Sequence, residues 1–276
     1  MDEPGYASTW TKEEDLESLN LRIHDAAPID QLANRARGYR DLLFGTFPEA
    51  SPKEQDTVVE FGSGVGWIME AMLERFSMRE IVGLDISENM ITRAQERFQH
   101  PRARFVHYDG LHIPFEDGEI QVIYSCAAIQ HIEKHVAFML LRELHRVLAA
   151  GGHAVLHLLS VEHIPHGVPT YDQECLNHIN NVPTHWHHYY SFDELFILLS
   201  KVIGVRELDI VYKEDLFHSL LVHFGKGTGR LYRRPELPQL TFASQSAAVA
   251  SPAARSGSQR ASWGGRLRRL RVPRRG

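Results

Sequence analysis

Two groups of residues in this 276-residue chain could do chemistry. The first is an acid followed by alternate glycines: Glu60, then Gly62, Gly64 and Gly66, with Asp85 and Asp109 further along. Glycines let the backbone take positive φ and let a ligand approach closely. A helix that starts directly after them aims its free N–H groups at the same spot. A carboxylate placed as Asp85 is, at the end of the next strand, can accept two ribose hydroxyls. The second group is histidine. The chain has 17, and His153, His157, His163, His166, His178, His185, His187 and His188 crowd into one stretch. Imidazole exchanges a proton near neutral pH, so such a crowd suits a polar pocket with a base in it.

These residues need a scaffold, and the hydrophobic pattern supplies one. A helix is predicted over 29–44, where Ile29, Leu32, Ala36, Tyr39 and Leu43 recur close to a 3.6 period. Strands are predicted over 57–61, 81–84, 103–107, 120–125 and 153–159, separated by helices that start after Gly66, Ser87 and Ile132. Ser87 is a candidate N-cap, and Ser191 with Glu194 has capping-box spacing. Gly151 and Gly152 are expected to cap the helix over 133–148. Two further strands, near 203–212 and 216–224, would close the sheet as an antiparallel hairpin. The fold class is therefore α/β: a Rossmann-like, doubly wound, mostly parallel seven-stranded sheet flanked by helices. Ligands in such sheets sit at the carboxyl ends of the strands. Here those ends carry Glu60 to Gly66, Asp85, Asp109 and Ser125.

The domain plan has three parts. Residues 1–45 form an N-terminal helical segment whose Tyr6 and Trp10 could dock over the ligand mouth. Residues 46–229 form the ligand-binding domain, with 160–190 as a His-rich cap on the substrate side. Residues 230–276 form a basic, aperiodic tail that holds 11 of the 30 basic residues and one of the 35 acidic ones. The tail has no folded nucleic-acid module or stacking platform, so nucleic acid is not the expected partner. Removing 237–276 is expected to leave activity intact. The N-terminus is acidic and lacks a leader-like apolar core, and no apolar run reaches a membrane span. Cys126 and Cys175 are the only cysteines and form no CxxC pair, which fits a cytoplasmic protein.

Details of the glycine loop narrow its ligand. The spacing is G-x-G-x-G, where a dinucleotide loop would read G-x-G-x-x-G. Glu60 stands just before it, where it would repel a pyrophosphate and hold an ammonium. The site thus suits an adenosine that carries a cationic, amino-acid-like arm.

Four blocks in this order resemble the class I S-adenosylmethionine-dependent methyltransferases of the broad "type 11" small-molecule group. They are VVEFGSGVGW (58–67), GLDISENMITRAQERF (83–98), HYDGLHIPFEDGEIQVIYSCAAIQHI (107–132) and ELHRVLAAGGHAVL (143–156). The resemblance implies S-adenosyl-L-methionine as cofactor. It implies that Glu60, Gly62, Gly64 and Gly66 line the methionine arm and that Asp85 binds the ribose. It implies Ile86 and Met90 beside the adenine, Asp109 and Gly110 at its edge, and Ser125 near the sulfonium. Ala149 and Ala150 precede Gly151 and Gly152 where Lys-Pro is common in the family.

A hydroxyl acceptor would need a base. His131 follows the fourth strand, where this family often has a histidine facing the cofactor, and it is the first candidate. His153 and His187 are the others, and Tyr171, Trp186, Tyr189 and Tyr190 would wall the pocket. His153 and His157 lie on one side of the fifth strand by parity. The histidines could instead bind a metal with Glu162 or Asp172, or simply be surface residues; their spacing matches no closed zinc pattern, and no metal is assigned. The expected reaction is methyl transfer to an oxygen, or less readily a nitrogen, of a small polar metabolite. The alternatives are an NAD-dependent oxidoreductase and a non-catalytic, methyltransferase-like binding or scaffold protein. A homodimer is left open.

Overall fold

The computed structural model describes Trp10, residues 28–161, 187–213 and 219–227, and the backbone of 231–233. Expectations for Tyr6, for His163 to Trp186 and for the Arg-rich tail lie outside the described residues.

The strands are β1 (Thr57–Phe61), β2 (Glu80–Asp85), β3 (Ala103–His107), β4 (Ile120–Ser125), β5 (Leu148–Ser160), β6 (Tyr189–Tyr190), β7 (Glu207–Lys213), β8 (Ser219–Gly225) and β9 (Leu231–Arg233). The helices are α1 (Ile29–Thr46), α2 (Trp67–Arg75), α3 (Glu88–Arg97), α4 (Lys134–Val147) and α5 (Phe192–Phe196), which runs on as a π-helical stretch, Ile197–Ile203. The sheet order is β3-β2-β1-β4-β5-β8-β7-β9. The pairs among β1 to β5 are parallel, and β8 runs antiparallel to both β5 and β7. This is the doubly wound sheet with a C-terminal hairpin, with two short strands, β6 and β9, added.

The chain reverses direction across the sheet between β1 and β4, so their carboxyl ends diverge into a crevice. β1 is buried along its whole length, as a central parallel strand with helices on both faces must be. One face packs Leu43, Phe44 and Phe47 of α1 and the following turn, with Met69 and Met72 of α2, against Val58, Tyr124, Val155 and Leu221. The other packs Leu140, Leu144 and Val147 of α4 with Leu195 and Leu199 against Val59, Ile123, Leu156 and Val222. Arg40 is buried and bonds the Ala71 carbonyl at 2.7 Å, while Arg37 pairs with Glu74. These contacts hold α1 on α2.

Gly151 and Gly152 do not cap α4. The helix ends at Val147, Leu148 is already extended, and the strand begins there. Leu148 pairs with Ile120, and the β4–β5 register then shifts before Val122 meets His153. Gly151 has φ 75° in this bulge. A side chain at Gly152 would lie 2.9 Å from the Gln121 carbonyl oxygen. The glycines therefore serve a close strand approach and a bulge.

Candidate functional site

The glycine loop leaves β1 as a tight turn. Gly62, Gly64 and Gly66 have φ of 75°, 50° and 81°, all left-handed. Gly62 N–H donates to the Leu84 carbonyl at 2.8 Å, which ties the loop to the end of β2. Gly66 is the N-cap of α2. The glycines differ in what surrounds them. A Cβ at Gly62 would lie 2.2 Å from Ala128 Cβ, and one at Gly66 would lie 2.7 Å from the Phe105 ring. A Cβ at Gly64 would meet nothing within 4 Å. Gly64 is thus the loop position with open space on its side-chain face.

Asp85 locks this loop to α3. Its Oδ2 accepts from Gly64 N–H at 2.8 Å and its Oδ1 from Ser87 N–H at 2.9 Å. Desolvation raises its pKa, partly offset by those two bonds. Each oxygen keeps lone-pair capacity beyond its one bond, as ribose recognition requires. Ser87 caps α3 through Met90 N–H and donates its hydroxyl to the Trp10 carbonyl at 2.6 Å. Trp10 also packs against the pair Val65 and Met90, as Trp67 does. Arg97 lies 3.9 Å over the Trp67 ring and bonds the Val65 carbonyl at 2.8 Å, bracing the loop from the other side. Ile86 and Met90 are buried next to Asp85.

Other expected cofactor residues have structural partners of their own. Glu60 is only 2% exposed, with the Tyr124 hydroxyl donating to its Oε2 at 2.9 Å. Burial pushes its pKa up to about 8, so its neutral form prevails near pH 7. Asp109 is exposed and caps its own turn, accepting from the N–H groups of Leu111 and His112 and from His112 Nδ1 at 2.9 Å. Those bonds outweigh desolvation and hold it down at about 2. Gly110 supplies the left-handed residue of that turn, with φ 85°. The Ser125 hydroxyl is buried and donates to the Phe61 carbonyl at 2.8 Å, stitching β4 to β1.

The loop leaving β4 forms the opposite wall. Ala127 has φ 55°, the left-handed region in a non-glycine residue, at a cost of about 1–3 kcal/mol that surrounding structure must offset. The restraint is visible: Ala127 N–H donates to His157 Nδ1 at 3.3 Å, and His157 Nε2 meets the Ser219 hydroxyl at 2.7 Å. Burial lowers the His157 pKa to about 4. His157 is thus a neutral link between β8 and this bend. The turn Ile129–His131 follows.

β8 already occupies one edge of β5 at Leu159, so β6, which also pairs there, lies on the β4 side. It brings His187 against His131, with ring centroids 4.8 Å apart. His188 N–H donates to the Gln130 carbonyl at 2.6 Å. Trp10 completes the group, with its ring 5.2 Å from that of His131. Two of the three candidate bases, His131 and His187, therefore meet at the strand-end crevice. His153 does not join them. It pairs in register with Val122, three residues before the end of β4, and its Nδ1 lies 3.1 Å from His223 Nε2.

Sequence reasoning missed Ala127, Ala128, Gln130 and Tyr124 as parts of this site. Ala128 matters because it packs on Gly62, and Tyr124 because it pairs with Glu60. No local pattern signals either contact; both follow from the β1–β4 register.

The methyltransferase-domain family model matches residues 58–152. The chain is 30% identical over 156 residues to malonyl-[acyl-carrier protein] O-methyltransferase of Marinomonas sp., covering 55% of this chain and 57% of that protein. It is 35% identical over 119 residues to trans-aconitate 2-methyltransferase of Variovorax paradoxus, covering 43% and 42%. It spans about half the length of these curated relatives. Among solved structures, an S-adenosylmethionine-dependent methyltransferase from Mesorhizobium loti shares the fold at TM-score 0.53 and 18% identity, over 70% of this chain and 99% of that one. The glycine turn, the Asp85 clamp and the open face at Gly64 fit S-adenosylmethionine, and the nicotinamide alternative is set aside. Residues 58–152 thus match a methyltransferase domain, on a sheet that shares the fold of S-adenosylmethionine-dependent methyltransferases.

Proposed function

We propose that the protein transfers a methyl group from S-adenosylmethionine to an oxygen of a small polar acceptor, with His131 as the proton-accepting group. The observation that carries this reading is the His131–His187–Trp10 cluster. It stands on the loop whose Ala128 touches the glycine turn, so acceptor and cofactor sites share one wall. When bound, the cofactor would supply an electrophilic methyl on a sulfonium, and breaking its C–S bond would leave neutral S-adenosylhomocysteine.

The chain's own residues do the rest. Gly64 and Asp85 orient the cofactor, and Trp10 covers the mouth and excludes water. Holding two reactants in line supplies most of the rate, with effective molarities on the order of 10⁵ M or more. An acceptor hydroxyl gives its proton to the His131 ring as the new C–O bond forms, which typically contributes about 10²–10⁴-fold. His187, tilted against His131, positions that ring. The two relatives named above carry malonyl-[acyl-carrier protein] and trans-aconitate in their names, which makes acidic molecules that also bear a hydroxyl the first acceptors to try.

The test pairs calorimetric titration of S-adenosylhomocysteine with a methyl-transfer screen over acidic and hydroxylated metabolites. Asp85→Ala should abolish cofactor binding. His131→Ala should keep that binding and lose about 10²-fold or more in kcat. Full turnover in His131→Ala removes it as the base. Tight cofactor binding with no transfer to any acceptor, in wild type, favours a scaffold.

A further inference from the structure

A second group of ionisable side chains sits away from the crevice. Glu49, in the turn Pro48–Ala50 after α1, meets Asp209 of β7 and His223 of β8, and one donor atom from each lies within 4.8 Å of the others. Asp209 and His223 are cross-strand partners, which fixes their spacing by sheet geometry. Both are buried, at 7% and 5% exposure, while Glu49 is exposed. His223 turns Nδ1 to Glu49 Oε1 at 3.5 Å and Nε2 to His153 Nδ1 at 3.1 Å.

From this geometry we infer a divalent-cation site built from Glu49, Asp209 and His223, with His153 orienting the imidazole ligand. Two carboxylate oxygens and one imidazole nitrogen suit a borderline first-row cation of the zinc or manganese kind. The two carboxylate charges would balance such an ion, with Glu49 on the exposed side and Asp209 and His223 buried. The fourth residue matters to the chemistry. A ligating imidazole needs its other ring nitrogen bonded to a fixed partner, which sets the tautomer. With His223 Nε2–H donating to His153 Nδ1, the Nδ1 lone pair faces Glu49. Glu207, which acts electrostatically on His153, adds a further acid on the same face of β7.

The site is distinct from the cofactor crevice. His153 lies three residues before the β5 position paired with Ser125, about 10 Å along the strand. An ion there would fasten the α1–β1 connection to the β7–β8 edge. It also gives His153 a part as a positioning residue for a metal ligand, in place of the base it was expected to be.

The test uses the full chain stripped with chelator and titrated with zinc(II) by calorimetry, with cobalt(II) absorption as a second probe. One equivalent should bind and raise the thermal midpoint. Glu49→Gln, on an exposed turn, should keep the metal-free midpoint and weaken zinc at least about 10-fold, in the range that loss of a ligand or its orienting partner produces. His153→Gln should weaken it by a smaller factor and alter the cobalt spectrum. Equal zinc affinity in wild type, Glu49→Gln and His223→Gln would place any bound metal elsewhere and overturn the assignment. Absence of zinc and cobalt binding in wild type would overturn it as well. Should His223→Gln fail to fold, the Glu49→Gln comparison decides alone.

Discussion

Replacing Glu60 by glutamine tests the most unusual electrostatic feature of the site. Glu60 is buried beside Tyr124, and its pKa rises from the ordinary 4.5 to about 8, chiefly through desolvation. An acid whose folded pKa is raised contributes full stability below its unfolded pKa and loses it as pH climbs through the folded value. The window therefore runs from about pH 4.5 to about pH 8, with a slope of about 1.4 kcal/mol per pH unit. Between about pH 5 and about pH 8 the wild type should lose roughly 4 kcal/mol from this residue alone. Glutamine keeps an oxygen to accept from the Tyr124 hydroxyl and cannot ionise. The assay is urea unfolding of both proteins across that range, read as their difference so that all other titrations cancel, including the opposing ones of His157 and His223. The gap should narrow or reverse in favour of glutamine as pH rises. Parallel curves to within about 1 kcal/mol would show Glu60 ionised in the folded state and refute the reasoning. The same residue tests the ammonium reading of the loop. An ammonium held by Glu60 must displace its proton, so cofactor binding near pH 7 would release one, visible as a buffer-dependent calorimetric enthalpy.

Two further outcomes follow from geometry. Gly64→Ala meets no neighbour, so it should cost only the left-handed backbone penalty of about 1–2 kcal/mol while cutting S-adenosylhomocysteine affinity sharply. Gly62→Ala would bring a Cβ to 2.2 Å from the Ala128 Cβ and should lose about 1–3 kcal/mol more in thermal or urea unfolding; equal stability of the two variants would contradict the packing described. Arg146 bonds the carbonyls of Ile113 and Phe115 and the carboxylates of Asp117 and Glu143, pinning the loop before β4 to α4. Arg146→Ala should destabilise by about 1–3 kcal/mol, and Arg146→Lys should recover little because a lysine lacks the planar fork. Full recovery by lysine in urea unfolding would show that charge alone holds the loop.

Much of this architecture is legible without coordinates because its signals are local. The β-branched run at Thr57 to Val59, the alternate glycines and the Ser87 and Ser191 caps each declare themselves within a few residues, and each stands where expected. The sheet class follows from strands alternating with helices, and the crevice from where those strands end. Gly151 and Gly152 show the limit of local rules. A glycine pair after a helix reads as a cap, yet here the requirement comes from the Gln121 carbonyl across the sheet.

What the amino-acid order determined by itself is the list of chemical groups at the strand ends and the elements that carry them. What tertiary structure decided is the work each group does, because that depends on cross-strand register and burial between distant parts of the chain. Glu60 and Tyr124 are 64 positions apart, and so are Ser125 and Phe61. His153 and His223 are separated by 70. Register took His153 away from the crevice and set it beside His223, while β6 brought His187 to His131. Desolvation, which only a folded interior creates, raised Glu60 and lowered His157.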